Sequence, residues 1–139
     1  MLLENKIVMG FDFGLTRIGV AIANTSLRIP HPLAIVVGKD NNEKMAKIGE
    51  LIAIWQPFNL VVGMPSNDIN KLDLVHSINK FINRLKHNFR LEVISINEDF
   101  TSKIASGLLD VQGIHGIKQK HKLDSLSAMI ILENYFYTR

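Results

Sequence analysis

Three carboxylates, Asp12, Glu98 and Asp124, are the side chains of this chain whose type and setting could do chemistry. Asp12 lies inside the apolar run Ile7 to Phe13, which reads as a strand. Period two sends Ile7, Met9, Phe11 and Phe13 to one face and Val8, Gly10 and Asp12 to the other. A carboxylate so close to an apolar core is costly unless a cation or a donor network satisfies it. Glu98 follows a second such run, Leu91 to Ile96. Asp124 stands in the first turn of a final helix, in KLDSLSA, where Ser125 and Ser127 are small enough to let that helix end approach a sheet. Carboxylates gathered in one place repel one another, and the usual remedy is a hard divalent cation held by oxygen ligands. Mg²⁺ or Mn²⁺ suits such a set and leaves room for substrate phosphate. Two such ions about 4 Å apart can activate a water and stabilise the leaving oxygen in phosphodiester hydrolysis. Taken singly, each acid also has a simpler role. An Asp before Gly orders a hairpin turn, and Glu98 and Asp124 would each suit the first turn of a helix.

The elements that must position these acids follow from the chain in order. Gly14-Leu15-Thr16 allows a tight turn, and Arg17 to Ala23 returns as a second strand with Ile18, Val20 and Ile22 on one face and Gly19, Ala21 and Ala23 on the other. Leu33 to Val37 is a third strand, placed at an edge by Pro30 and Pro32. Asn41 or Asn42 can cap a helix with Met45, Ile48, Ile52 and Trp55 on its apolar stripe, stopped by Gln56-Pro57. A short apolar strand, Leu60 to Gly63, opens into the polar loop Met64-Pro65-Ser66-Asn67-Asp68. A second helix carries Leu72, Val75, Ile78, Ile82 and Leu85 before the fifth strand. A short helix is expected over Thr101 to Leu109, a poorly structured segment over Asp110 to Gln119, and a deeply packed helix over Lys122 to Tyr137. Three strands in a meander, then two more each reached through a helix, make a five-stranded mixed α/β sheet with helices on its faces. The carboxyl ends of its parallel strands share one rim, and Asp12, Ser66, Asn67 and Glu98 fall there.

The 139 residues, 47% hydrophobic and 21% charged, fit a single domain with one core, residues 1–139. No apolar run approaches a membrane span and the N-terminus lacks a signal-peptide layout, so a cytoplasmic protein with no membrane partner is expected. The absence of cysteine excludes disulfides and thiolate metal sites. Sixteen Lys and Arg against thirteen Asp and Glu give a net charge of +3, too mild to mark a polyanion partner by itself. Its distribution is more telling. Lys118, Lys120 and Lys122, with His115 and His121, form a run without acids that reads either as a solvated loop or as a phosphate contact, and Lys86, His87 and Arg90 form a smaller cluster. Phe89 and Tyr135, if exposed, would be candidates for a subunit interface, and a monomer or a homodimer is expected.

GFDFGLTRIGVA resembles the opening D-x-G-x-x-R-I-G-V-A motif of the YqgF (RuvX) family, whose members are named as Holliday junction resolvases and as pre-16S ribosomal RNA nucleases. Val61 to Pro65, VVGMP, resembles that family's V-V-G-L-P. Asn97 to Ser102, NEDFTS, resembles its D-E-R-x-T-T, and Lys122 to Phe136 its closing K-x-D-x-x-A-A helix. The four motifs come in the family's order and cover nearly the whole chain. The resemblance implies a ribonuclease-H-like fold, strand order 3-2-1-4-5 with helices on both faces, and metal-dependent cleavage of a nucleic acid, either the 5′ end of pre-16S rRNA or branched DNA. It also implies that Asp12, Glu98 and Asp124 are the metal-binding catalytic triad, and that Arg17, Thr101 and Ser102 support the site or contact phosphate. Arg17 has a second reading, as a salt bridge holding Asp12. Three positions depart from the pattern: Asp99 stands where the family has Arg, Asn97 where it has Asp, and the loop SNDINK lacks the usual glycine.

Two other classes share features of this sequence. Sugar-kinase and actin-like ATPases also open with D-x-G on a strand, but they close two lobes around a nucleotide and need about twice this length and a second glycine-rich phosphate loop. A non-catalytic nucleic-acid-binding domain would keep the basic run while having no need of all three acids.

Overall fold

Alternation of large and small residues along the first two strands gives the sheet two unlike faces, and the helices sort themselves accordingly. In the computed structural model, which describes residues 5–65, 69–97 and 116–138, and only the backbone of 69 and 116–124, the strands are β1 (Ile7–Phe13), β2 (Arg17–Asn24), β3 (His31–Val37), β4 (Asn59–Met64) and β5 (Glu92–Asn97). Their order is β3-β2-β1-β4-β5. The first three pair antiparallel, and β4 and β5 extend the sheet parallel to β1. This is the mixed sheet and strand order expected from the sequence. Helix α1 (Asn41–Trp55) leads into β4, α2 (Leu72–Phe89) into β5 after a 3₁₀ turn at Ile69–Lys71, and α3 (Gly116–Tyr137) closes the chain.

Met9, Phe11, Ile18, Val20, Leu60 and Val62 point to the face covered by α1 and α2, where they meet Met45, Ile48, Ile78, Phe81, Ile82 and Leu85. Phe11 and Phe81 meet edge to face, with ring centroids 5.7 Å apart. Val8, Ala21, Ala23 and Val61 point the other way, against Ala128, Ile131, Leu132, Tyr135 and Phe136 of α3. That face of β1 and β2 is built of small residues, so α3 lies close to the sheet. A Cβ added at Gly10 would stand 2.7 Å from Leu132 Cγ.

Several boundaries differ from the sequence reading. Strand β3 starts at His31 and takes in Pro32, which an edge strand tolerates. The cap of α1 is Asp40, not Asn41 or Asn42: its Oδ1 accepts from the Glu43 N–H at 2.9 Å, while Glu43 Oε2 accepts from the Lys39 N–H at 2.9 Å. Helix α3 begins at Gly116, six residues before the expected start, so Lys118, Lys120 and Lys122 lie on a helix backbone and not in a loop. Lysine and glutamine are good helix formers, and a glycine at the first helical position does not outweigh them. Asp124 consequently sits more than two turns inside the helix, where a first-turn dipole role is not open to it. Tyr135 is buried and Phe89 is half-buried against Gly49, so neither is the exposed aromatic that the sequence suggests. The expected helix over Thr101 to Leu109 lies outside the described residues.

Candidate active site

The parallel strands bring their carboxyl ends to one rim. Val62 stands opposite Phe11 in the β1–β4 register, and Asn97 opposite Met64 in the β4–β5 register. Asp12 lies at this rim on β1, half-buried and in polar contact. Glu98, Ser66, Asn67, Thr101 and Ser102 lie outside the described residues; in the chain, Glu98 is the next residue after Asn97 at the end of β5, and Ser66 follows Pro65 at the end of β4.

Two contacts fix the direction of α3. Arg28, in the turn beyond Asn24, stacks on Phe136 at 5.7 Å, and Asn24 pairs with Ile7 at the start of β1. Leu132 lies over Gly10. Toward its N-terminus, therefore, the helix advances along β1 from Ile7 toward Asp12. Four helix residues cover about 6 Å and two strand residues about 7 Å, so the step from Leu132 to Ala128 matches the step from Gly10 to Asp12. Position 124 is one turn before Ala128 and two turns before Ile131, both fully buried against the sheet. Ser127 is also buried, as a close helix approach requires. The backbone thus carries the Asp124 position toward the rim that holds Asp12.

The turn after Asp12 is tightly built. A Cβ at Gly14 would meet the Arg17 carbonyl oxygen at 2.6 Å, so only glycine fits. From α1, Lys44 reaches across and donates from Nζ to the Leu15 carbonyl at 2.6 Å, although Lys44 is only 7% exposed. Arg17, at the start of β2, is half-buried and, like Asp12, engaged in polar contact. Lys44 was not singled out by the sequence reading. The signal was present: a lysine beside Met45 and four residues before Ile48 falls within the apolar stripe of α1, where an ammonium needs a partner.

The three carboxylates that the sequence singles out, Asp12, Glu98 and Asp124, are all oxygen donors. Oxygen donors are the type a hard divalent cation takes, and of the three only the Asp12 side chain is described, half-buried at the rim. Among the described residues no group of three His, Cys, Asp or Glu side chains is gathered, Asp12 being the one member of the triad whose side chain is described. No described helix is long and apolar enough to cross a membrane.

A family model described as RuvX, Holliday junction resolvase, matches residues 6–138. Among curated relatives, a protein of Chromobacterium violaceum named "Putative pre-16S rRNA nuclease" is 45% identical over 130 residues, covering 92% of this chain and 95% of its own. A Methylobacillus flagellatus protein of the same name is 44% identical, covering 93% and 89%. Among solved structures, T. thermophilus RuvC in complex with a Holliday junction substrate superposes with a TM-score of 0.61 at 20% identity, covering 96% of this chain and 95% of its own. The Fowlpox virus resolvase bound to Holliday junction DNA gives 0.52 at 12% identity, covering 95% and 97%. At such identities these two matches speak for the fold.

Proposed function

This chain belongs to the RuvX family, and from that premise we propose that it is a metal-dependent nuclease that hydrolyses phosphodiester bonds in maturing the 5′ end of pre-16S rRNA. The observation that carries the reading is a half-buried Asp12 at the rim where β1, β4 and β5 end together, with α3 running back along β1 toward the same rim. The names of the curated relatives support rRNA as the substrate. Four-way DNA is the second reading, favoured by the description of the family model.

In this reading Asp12, Glu98 and Asp124 hold the metal, Mg²⁺ or Mn²⁺. A divalent ion held there supplies an activated water and charge stabilisation at the leaving oxygen. Asp12 anchors the set because its strand is clamped between β2 and β4. Arg17, three residues after Gly14 at the start of β2, offers a guanidinium to a phosphate oxygen. Ser66, Asn67, Thr101, Ser102, Lys118, Lys120 and Lys122 are assigned to substrate binding in this reading. The protein works in the cytoplasm, as a monomer on rRNA or as a homodimer if it cuts a symmetric junction at two points.

The test is cleavage of labelled precursor rRNA and of a four-way DNA junction, side by side, with Mg²⁺, with Mn²⁺ and with chelator. The Asp12→Asn variant is assayed in parallel. The expected result is metal-dependent cutting of the rRNA that falls by about 100-fold or more in the variant, since a direct ligand matters at least as much as the outer partners of one. Cutting of the junction alone would select the second reading. Binding without cutting under every condition would leave a non-catalytic domain, with Asp99→Arg the first change to make.

A further inference from the structure

A second polar site lies across the sheet from Asp12. Phe13, the neighbour of Asp12 in β1, points to the opposite face and, with Phe81, lines a cavity of about 190 Å³ between the start of α1, the middle of α2 and the Gly14–Thr16 turn. Its polar lining is Asn41 and Lys44 from α1 and Ser77, Lys80 and Arg84 from α2, with no acid among the lining residues. Three cations therefore face one small space. Lys80 and Arg84 are four residues apart on one helix, a like-charged pair that opposes helix formation. Among the described residues neither has an acidic partner. The acids at the start of α1 are committed elsewhere: Asp40 caps the helix, and Glu43 accepts from the Lys39 N–H and lies 3.8 Å from Lys47 Nζ. Lys44 is buried and spends one of its three donors on the Leu15 carbonyl.

A buried ammonium beside two further cations and two neutral donors describes a site for an anion. At about 190 Å³ the space is below the 300–1,000 Å³ typical of drug-sized ligands, so it fits a single phosphate group and not a nucleotide. We propose that this cavity binds a phosphate group. Its position beside the turn that follows Asp12 makes the source a phosphate of the nucleic-acid strand flanking the one attacked, and that choice of source rests on the nuclease reading above. The alternative source of the same chemistry is free phosphate or a small phosphorylated molecule.

The full-length Lys80→Gln/Arg84→Gln variant tests this. Both residues are exposed, so the fold should survive. Affinity for a labelled single-stranded RNA oligonucleotide is measured in chelator across a salt series, with Lys71→Gln/Lys86→Gln as a control of equal charge on the same side of the sheet. In parallel, the backbone amides of Asn41, Ser77 and Lys80 are followed by NMR as inorganic phosphate is added to the wild-type protein. We expect the cavity variant to bind about tenfold more weakly with a salt slope smaller by about 1–2, the control to change little, and phosphate to shift the three amides. Amide shifts with unchanged RNA affinity would assign the cavity to free phosphate. Equal losses in both variants, or no shifts and no loss, would overturn the proposal. Because every readout is binding without metal, a protein that cuts nothing would defeat the nuclease reading and leave this result standing.

Discussion

The two faces of the sheet are built on opposite terms. Under α1 and α2 the strands present Met9, Phe11, Ile18 and Val20, a thick layer whose role is cohesion. Under α3 the same two strands present Val8, Gly10, Ala21 and Ala23, a thin layer that lets a helix lie close, and this thin side is the one that ends in Asp12. Large side chains hold elements together but keep them apart, about 10 Å being usual between packed layers. A site of the kind proposed, with carboxylates from a strand and a helix, needs them nearer, so on that proposal the small residues would serve the chemistry and the large ones the stability.

Neighbouring residues should therefore fail in different ways. Phe11→Ala, which empties a fully buried site beside Phe81, should cost about 3–5 kcal/mol, read as a lower Tm and denaturant midpoint. Asp12→Asn, one residue on, should leave Tm nearly unchanged while cleavage is lost. A large stability loss for Asp12→Asn would mean that its carboxylate is a structural group and that the division between faces is wrong.

Gly10→Val attacks the thin face. Its new side chain would collide with Leu132, and overpacking of this kind costs about 1–3 kcal/mol. Because α3 must then move off the sheet, activity should fall beyond what the lost stability explains. Adding Leu132→Ala should restore part of both. Were the double variant no better than the single one, the contact with Leu132 would not be what sets the spacing.

Most of this was legible in the sequence, and the reasons are local. Alternation in IVMGFDF and RIGVAIA assigned side chains to faces correctly because each strand is buried on both sides and a slip of one residue would exchange the layers. The start of α3 was misread because Gly113 and Gly116 carry a stronger local signal than the long helix formers that follow, and packing against the sheet was not visible from composition. The Asp40 cap was missed because three capping residues stand in a row, Asp40, Asn41 and Asn42, and the choice depends on where Glu43 reaches. The convergence of Asp12 with the end of β5 followed from topology alone. Lys44 did not, since its partner is a backbone carbonyl twenty-nine residues away, which no spacing within α1 reveals.

Lys44 gives the smallest effect and the finest test of how the two faces communicate. Its ammonium comes from the thick side and holds the turn that follows Asp12 on the thin side, so in the proposed site it would act as a positioning residue. In Lys44→Met the aliphatic stem still fills its place among Met45 and Ile18, and water can reach the carbonyl of the exposed Leu15. Stability should therefore fall by only about 1 kcal/mol. The turn, no longer tied to α1, should open more often, and amide hydrogen exchange at residues 15–17 should quicken while exchange in the middle of β1 does not. Cleavage should drop by about threefold to tenfold, a cost of about 1 kcal/mol in the transition state, and the drop should appear in kcat beyond any change in KM. If exchange at the turn is unchanged while cleavage still drops, Lys44 acts on substrate through the phosphate cavity and not through the turn.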